Sequence, residues 1–157
     1  MIHNGEFMKA AAQEALEGVK NGHGGPFGAV IVKDNKIIAC AHNEVIKNND
    51  PTDHAEMVAI RSAAKKLGRF DLSDCVLYTS CEPCPMCFSA IHWAKIEKVY
   101  YGCTREDAAK VGFDDKYIYD VINGKVVHKK VKLEQKDRES CLEAFDEWEA
   151  REDKVQY

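Results

Sequence analysis

The sequence predicts a three-layer α/β/α domain built on a mixed five-stranded sheet. Three observations carry that prediction. Two short apolar runs open the chain's middle part with a turn between them, strand-like runs then alternate with helix-like segments, and 157 residues are about one domain's worth. Alternation of this kind places helices on the faces of a sheet, because parallel neighbours can be joined only by a crossover.

Met8, Ala11, Ala12, Ala15, Leu16 and Val19 recur at helical spacing, and Asn21-Gly22 with Gly24-Gly25-Pro26 ends that first helix. The runs GAVIVK and KIIACA, parted by Asp34-Asn35, read as a hairpin of two well-buried strands. The polar stretch NEVIKNNDPT follows as a loop. His54 to Leu67 reads as a helix with Gly68 in the capping position after it. CVLYTS is expected as the third strand, Pro85 to Trp93 as a helix and KVYYG as the fourth strand. Thr104, with Asp107 three residues later, opens a short helix that Gly112 closes. After the Asn123-Gly124 turn, KVVHKKVKL is expected as the fifth strand, and Cys141, Leu142, Phe145 and Trp148 mark a final amphipathic helix. Residues 1–157 therefore read as one domain.

Composition narrows the functional classes. No stretch approaches the roughly 18 apolar residues of a membrane span, and the opening MIHNGEFMKAAAQE lacks a basic-then-apolar signal pattern. A cytoplasmic location is the expectation. Seven cysteines, an odd number, favour reduced thiols over a disulfide framework and leave some of them for metal. The net charge of −4 gives the chain no general attraction for a phosphate backbone, so a nucleic acid is not the expected partner and a small uncharged substrate fits better.

The chemistry concentrates in two places. His54 and Glu56 stand at the start of one predicted helix, and Pro83-Cys84-Pro85-Met86-Cys87 at the start of the next. Proline is favoured in the first turn of a helix, where its missing N–H is no loss. Pro85 therefore marks the helix start, with Cys84 beside the N-cap and Cys87 one turn later on the same side. Helix N-termini favour thiolates. One imidazole and two thiolates hold Zn²⁺ with a fourth position left to water, the layout of a catalytic site, and Glu56 is placed to move that water's proton.

Cys81 complicates this reading, because Cys81, Cys84 and Cys87 are evenly spaced. With Cys81 as a fourth ligand the site would be closed and structural, Glu56 would be a cap paired with Asp53, and the protein would be a binding module. An iron–sulfur site is a weaker rival, since position 91, where a further cysteine would be needed, is Ile. Cys40, Cys75, Cys103 and Cys141 read as small core residues. His3, His23, His42, His92 and His128 have no motif context and receive no role.

At these residues the chain resembles the cytidine deaminase superfamily over nearly its whole length. GGPFGAVIV, NNDPTDHAEMVAI and LYTSCEPCPMC resemble the branch that holds tRNA adenosine deaminases, fungal-type cytosine deaminases and bacterial guanine deaminases. Within that branch, Trp93, the segment VGFDDKYIY and the terminal Tyr157 are similar to the small guanine deaminases. The resemblance implies one zinc ion per subunit on His54, Cys84 and Cys87, with Glu56 as proton shuttle. It implies hydrolytic deamination of a purine base, guanine to xanthine and ammonia. Other bases, nucleosides such as guanosine, and tRNA adenosine remain alternative substrates.

Carried over residue by residue, the resemblance assigns Phe27 and Trp93 to the walls of a flat base and Asn43 and the Ala55 N–H to its polar edge. Asp115, with Asp114 as its neighbour, would accept from purine N–H groups. It also implies a homodimer in which a tail of about residues 137–157 swaps to the partner subunit and Tyr157 closes the site.

Overall fold

The computed structural model describes residues 5–127 and 130–157. Its sheet has four strands in the order β2-β1-β3-β4: β1 Gly28–Lys33, β2 Lys36–His42, β3 Val76–Cys81 and β4 Lys98–Cys103. β1 runs antiparallel to both β2 and β3, and β3 pairs in parallel with β4. The sheet is therefore mixed, as expected, with the hairpin forming one edge. The turn Asp34-Asn35 has positive φ at both positions, the backbone that matches a right-twisted two-strand hairpin.

Helices cover both faces. α1, Gly5–Lys20, lies on one side, where Phe7 and Ala11 join Val30, Val32, Val76 and Tyr78. α3, Ala55–Leu67, and α4, Pro85–Trp93, lie on the other, over Ala29, Ile31, Ala39, Ala41 and Leu77. The period-2 alternation of β1 supplies both cores at once: all five residues Gly28 to Val32 are buried, odd positions toward one layer and even toward the other.

Several elements differ from the sequence expectation. α1 buries Phe7, Ala11, Ala15 and Gly18, whereas Leu16 and Val19 are exposed. The small residues let the helix axis approach the sheet closely, so the stripe is set by fit and not by apolar bulk. NEVIKNNDPT contains a single helical turn, α2 Val45–Asn48. β2 is only half buried, and Cys40, Cys103 and Cys141 are exposed, leaving Cys75 as the buried member of its group.

The fifth strand is a correction. Residues 125–127 and 130–133 have no strand pairing, while His128 and Lys129, like His3, lie outside the described residues. The described residues of the segment, 125–127 and 130–133, are exposed, and among the described residues β4 has no further strand beside it. The chain forms α5 Arg105–Lys110, α6 Lys116–Ile122 and α7 Arg138–Ala150 instead. Thr104 caps α5 in the expected reciprocal box with Asp107. Among the described residues, no helix is long and apolar enough to cross a membrane.

Candidate active site

Two helix N-termini meet at one point. His54 is the N-cap of α3 and Cys84 the N-cap of α4, both with extended backbone, and Pro85 occupies the first turn of α4. Cys87 follows one turn later, fully buried. His54 Nδ1 lies 3.4 Å from Cys84 Sγ and 3.7 Å from Cys87 Sγ. Zinc–sulfur and zinc–nitrogen bonds of about 2.3 and 2.1 Å at a tetrahedral angle would put these atoms about 3.6 Å apart. The residues therefore fit a zinc ion. Among the described residues, His54, Cys84 and Cys87 are the one cluster with metal-ligating spacing.

The two thiols stand in opposite electrostatic settings. The hydrogen bond from the Cys87 thiol, followed by that with His54, holds the Cys84 thiol far below its ordinary range. Cys87 is pushed up, first by its hydrogen bond to Cys84 and then by burial. A cation between the two sulfurs would favour both thiolates, and its binding would release protons. Cys81 stands apart: its Sγ lies 3.5 Å from the Thr104 carbonyl oxygen, and burial pushes its thiol up to about 11. It is not a member of the metal-ligating cluster, so a four-coordinate ion would retain one position for water.

Glu56 is 5% exposed, and burial raises its carboxyl above the ordinary carboxylate range. One oxygen lies 2.8 Å from Thr79 Oγ1 and the other 3.4 Å from Cys87 Sγ. Thr79 is wholly buried and also lies 3.2 Å from the Cys81 carbonyl. Its hydroxyl can donate to an ionised Glu56, or accept from a protonated Glu56 while donating to Cys81. This partner escaped the sequence reading. Its signal was a polar side chain on the otherwise apolar inner face of VLYTS. The capping alternative for Glu56 fails, because the N-cap of α3 is His54 with no side-chain cap bond, and Asp53 N donates to the Asp50 carbonyl at 3.1 Å.

A cavity of about 570 Å³ opens over this cluster, within the usual range for a small-molecule site. Phe27, Asn43, His54, Glu56, Cys84 and Asp115 all line it. Phe113, which no sequence argument singled out, meets Phe27 edge-to-face with ring centroids 5.1 Å apart. Asn43 Oδ1 accepts from Val45 N at 3.1 Å, which fixes the amide. The two aspartates also separate: Asp114 accepts from Lys116 N within its own turn, whereas Asp115 caps no helix N–H with its side chain. Burial raises the Asp115 carboxyl, against the lowering pull of Arg105.

The remaining sequence candidates lie differently. Ala55 is buried between His54 and Glu56 but does not line the cavity. Trp93 and Tyr157 meet each other, with centroids 6.0 Å apart, and are 64% and 69% exposed. Trp93 sits eight residues beyond Pro85, about 12 Å along the α4 axis, so this pair stands outside the cavity of its own chain. The cap over the cavity is latched to the metal loop: Tyr119 Oη donates to the Pro83 carbonyl at 2.6 Å, and Arg105 N donates to Glu82 at 3.2 Å.

A buried acid beside a His/Cys/Cys cluster in an open cavity defines a zinc hydrolase of the nucleobase-deaminase type. Residues 1–103 match the family model for the cytidine and deoxycytidylate deaminase zinc-binding region, and the chain belongs to that family. It is 49% identical over 151 residues to the guanine deaminase of Bacillus subtilis, covering 96% of this chain and 97% of that one. To the tRNA-specific adenosine deaminase of Aquifex aeolicus it is 35% identical over 142 residues, 90% and 91% of the two chains. The X-ray structure of the B. subtilis guanine deaminase superposes with a TM-score of 0.92 at 47% identity over 99% of each chain. A guanine deaminase from Nitrosomonas europaea gives 0.68 at 28% identity, over 74% of this chain and 67% of that one.

Proposed function

We propose that the protein is a zinc-dependent guanine deaminase that converts guanine and water to xanthine and ammonia. The observation that carries this reading is the buried Glu56 carboxyl set against the His54/Cys84/Cys87 cluster beside a cavity that Glu56, His54 and Cys84 line. The likeness to the B. subtilis guanine deaminase over nearly both whole chains supports the choice of base.

When bound at this cluster, zinc supplies a Lewis acid that makes water a nucleophile near neutral pH. Glu56 takes a proton as the water oxygen joins carbon 2 of guanine and gives it to N3; it then carries the remaining hydroxyl proton to the exocyclic nitrogen, so that the C–N bond breaks, ammonia leaves and the carbon 2 carbonyl of xanthine forms. A carboxyl raised by burial suits a group that must both gain and lose a proton. Phe27 and Phe113 wall the ring, Asn43 addresses its polar edge, and Asp115 accepts from purine N–H groups.

The enzyme acts in the cytoplasm as a homodimer in which the tail of one subunit reaches the other. α4 and β4 expose Phe88 and Tyr101 in a groove of about 970 Å³ that Ile91, Ile96 and Val99 also line, and Trp93 is exposed at the end of α4; exposed large apolar side chains of this kind are what a partner subunit would cover. Trp93 and Tyr157, paired outside their own cavity, would together complete the cavity of the partner subunit.

Incubation of the purified protein with guanine, guanosine, adenine, cytosine and a tRNA anticodon arm, with ammonia release as the readout, tests the reading. Guanine is expected to be the preferred substrate. Turnover of another substrate with guanine inert would overturn the assignment of base and leave only the zinc chemistry.

A further inference from the structure

Glu14, His42 and His23 form a polar chain outside the catalytic cluster. His42 Nδ1 lies 2.7 Å from Glu14 Oε2, and His42 Nε2 lies 2.8 Å from His23 Nδ1. A carboxylate only accepts, so His42 Nδ1 donates to Glu14, and His42 Nε2 and His23 Nδ1 share one hydrogen bond between the rings. The two ring planes are inclined by only 21°. The His42 side chain is 15% exposed and that of Glu14 27%, so each partner depends on the others more than a solvated surface pair would.

The chain ends at the purine-facing wall. His42 is followed by Asn43 and His23 by Gly24, and these two successors also touch. A Cβ on Gly24 would fall 2.1 Å from Asn43 Oδ1 and 2.7 Å from the Asn43 carbonyl oxygen, so only glycine allows the contact. The His23 carbonyl accepts from Ile46 N and Lys47 N, both at 3.0 Å, and Asn43 N donates to the Phe27 carbonyl at 3.0 Å. At the other end, a Cβ on Gly18 would fall 2.8 Å from His42 Cδ2, so a glycine in α1 makes room for the ring. Every link lies between α1, the residue 23–27 loop and the strand-end residue that precedes Asn43.

We propose that Glu14, His42 and His23 are positioning residues: they clamp the residue 23–27 loop against Asn43, and so hold Phe27 and Asn43 where the base docks. The proposal rests on the reading of this cavity as a guanine site. It assigns the three residues an effect on substrate binding and none on the proton transfer at Glu56.

The test compares His42→Leu, His42→Gln and His23→Ala with the unaltered, zinc-loaded protein. Gln offers one donor and one acceptor spaced much as the imidazole nitrogens are, so it can bridge Glu14 and His23, whereas Leu cannot. The Leu and Ala variants are expected to raise the KM for guanine about tenfold with kcat within about twofold, and Gln to restore most of the loss. In parallel, amide hydrogen exchange should quicken over residues 22–27 and 43–47 in the Leu variant, and stay unchanged over residues 76–91. An unchanged KM together with unchanged exchange, or a fall in kcat as large as the rise in KM, would overturn the proposal. Should the unaltered protein leave guanine untouched, the guanine reading fails, and the exchange measurement still decides whether the chain clamps the loop.

Discussion

Helices α3 and α4 bury Ala55, Glu56, Ala59 and Ala63, and Pro85, Cys87 and Ile91, against the sheet, whereas α5, α6 and α7 contain no buried residue. The first region carries the cluster that could hold a metal ion and the acid proposed to transfer the proton. The second carries Asp115, Phe113 and Tyr157, the groups proposed to choose the base. The contrast teaches that the candidate chemistry is built on a packed core, where geometry is over-determined, while the groups proposed for selectivity stand on elements that leave much of their apolar surface exposed. Phe145 is 70% exposed and Leu133 80%, although both are residue types that cores ordinarily take.

The sharpest way to probe that contrast is at the chemistry itself. Glu56→Gln should keep zinc and the fold while lowering kcat by about a thousandfold, near the upper range for a lost acid–base group. Zinc content by mass spectrometry and ammonia release measure the two sides, and unaltered turnover would sink the mechanism. Next in size, Leu77→Ala, in a wholly buried position, should cost about 3 kcal/mol of stability by transfer and cavity terms together. Chemical denaturation would show it, and a loss below about 1 kcal/mol would mean that the sheet region is not the stable half.

Smaller effects are expected in the second region. Removing residues 151–157 should lower kcat/KM for guanine by about thirtyfold, roughly 2 kcal/mol, while the melting midpoint moves little. Equal losses in turnover and stability would make the tail structural. Asp115→Asn should raise the KM for guanine by about tenfold, the worth of one charge-assisted hydrogen bond. The smallest effect is Phe145→Ala, which should change stability by less than about 0.5 kcal/mol in dilute, monomeric protein. It should instead weaken self-association in sedimentation runs. A large loss in the monomer would show that α7 packs on its own chain.

Much of the first region was legible because its signals are local. Pro85 marks a helix start wherever it occurs in such a pattern, so it placed Cys84 and Cys87 on one side of α4, and the observed helix begins at Pro85. Thr104 and Asp107 announced their capping box in the same way. The fifth strand was misjudged for the opposite reason. A run rich in Val and Lys has strand character by itself, but strand propensity is realised only by pairing and packing, and the described residues of 125–133 are exposed and paired with no strand. α6 was missed because GFDDK reads as a turn, and it is one; the helix begins just after it.

Periodicity, proline placement and the composition of two short motifs determined by themselves that this chain is a mixed α/β protein with a His/Cys/Cys metal cluster and an acid beside it. Those features depend on residues close together in sequence, where backbone sterics and helix-end chemistry leave few choices. Only the tertiary structure decided which partners lie across long separations. It set Thr79 on Glu56, exiled Cys81 to the Thr104 carbonyl and joined Glu14, His42 and His23 into a chain. It also placed Trp93 and Tyr157 together, away from the cavity of their own chain. Such contacts are fixed by how α1, α3 and α4 pack on the sheet and by where the chain after β4 runs, and no local pattern encodes either.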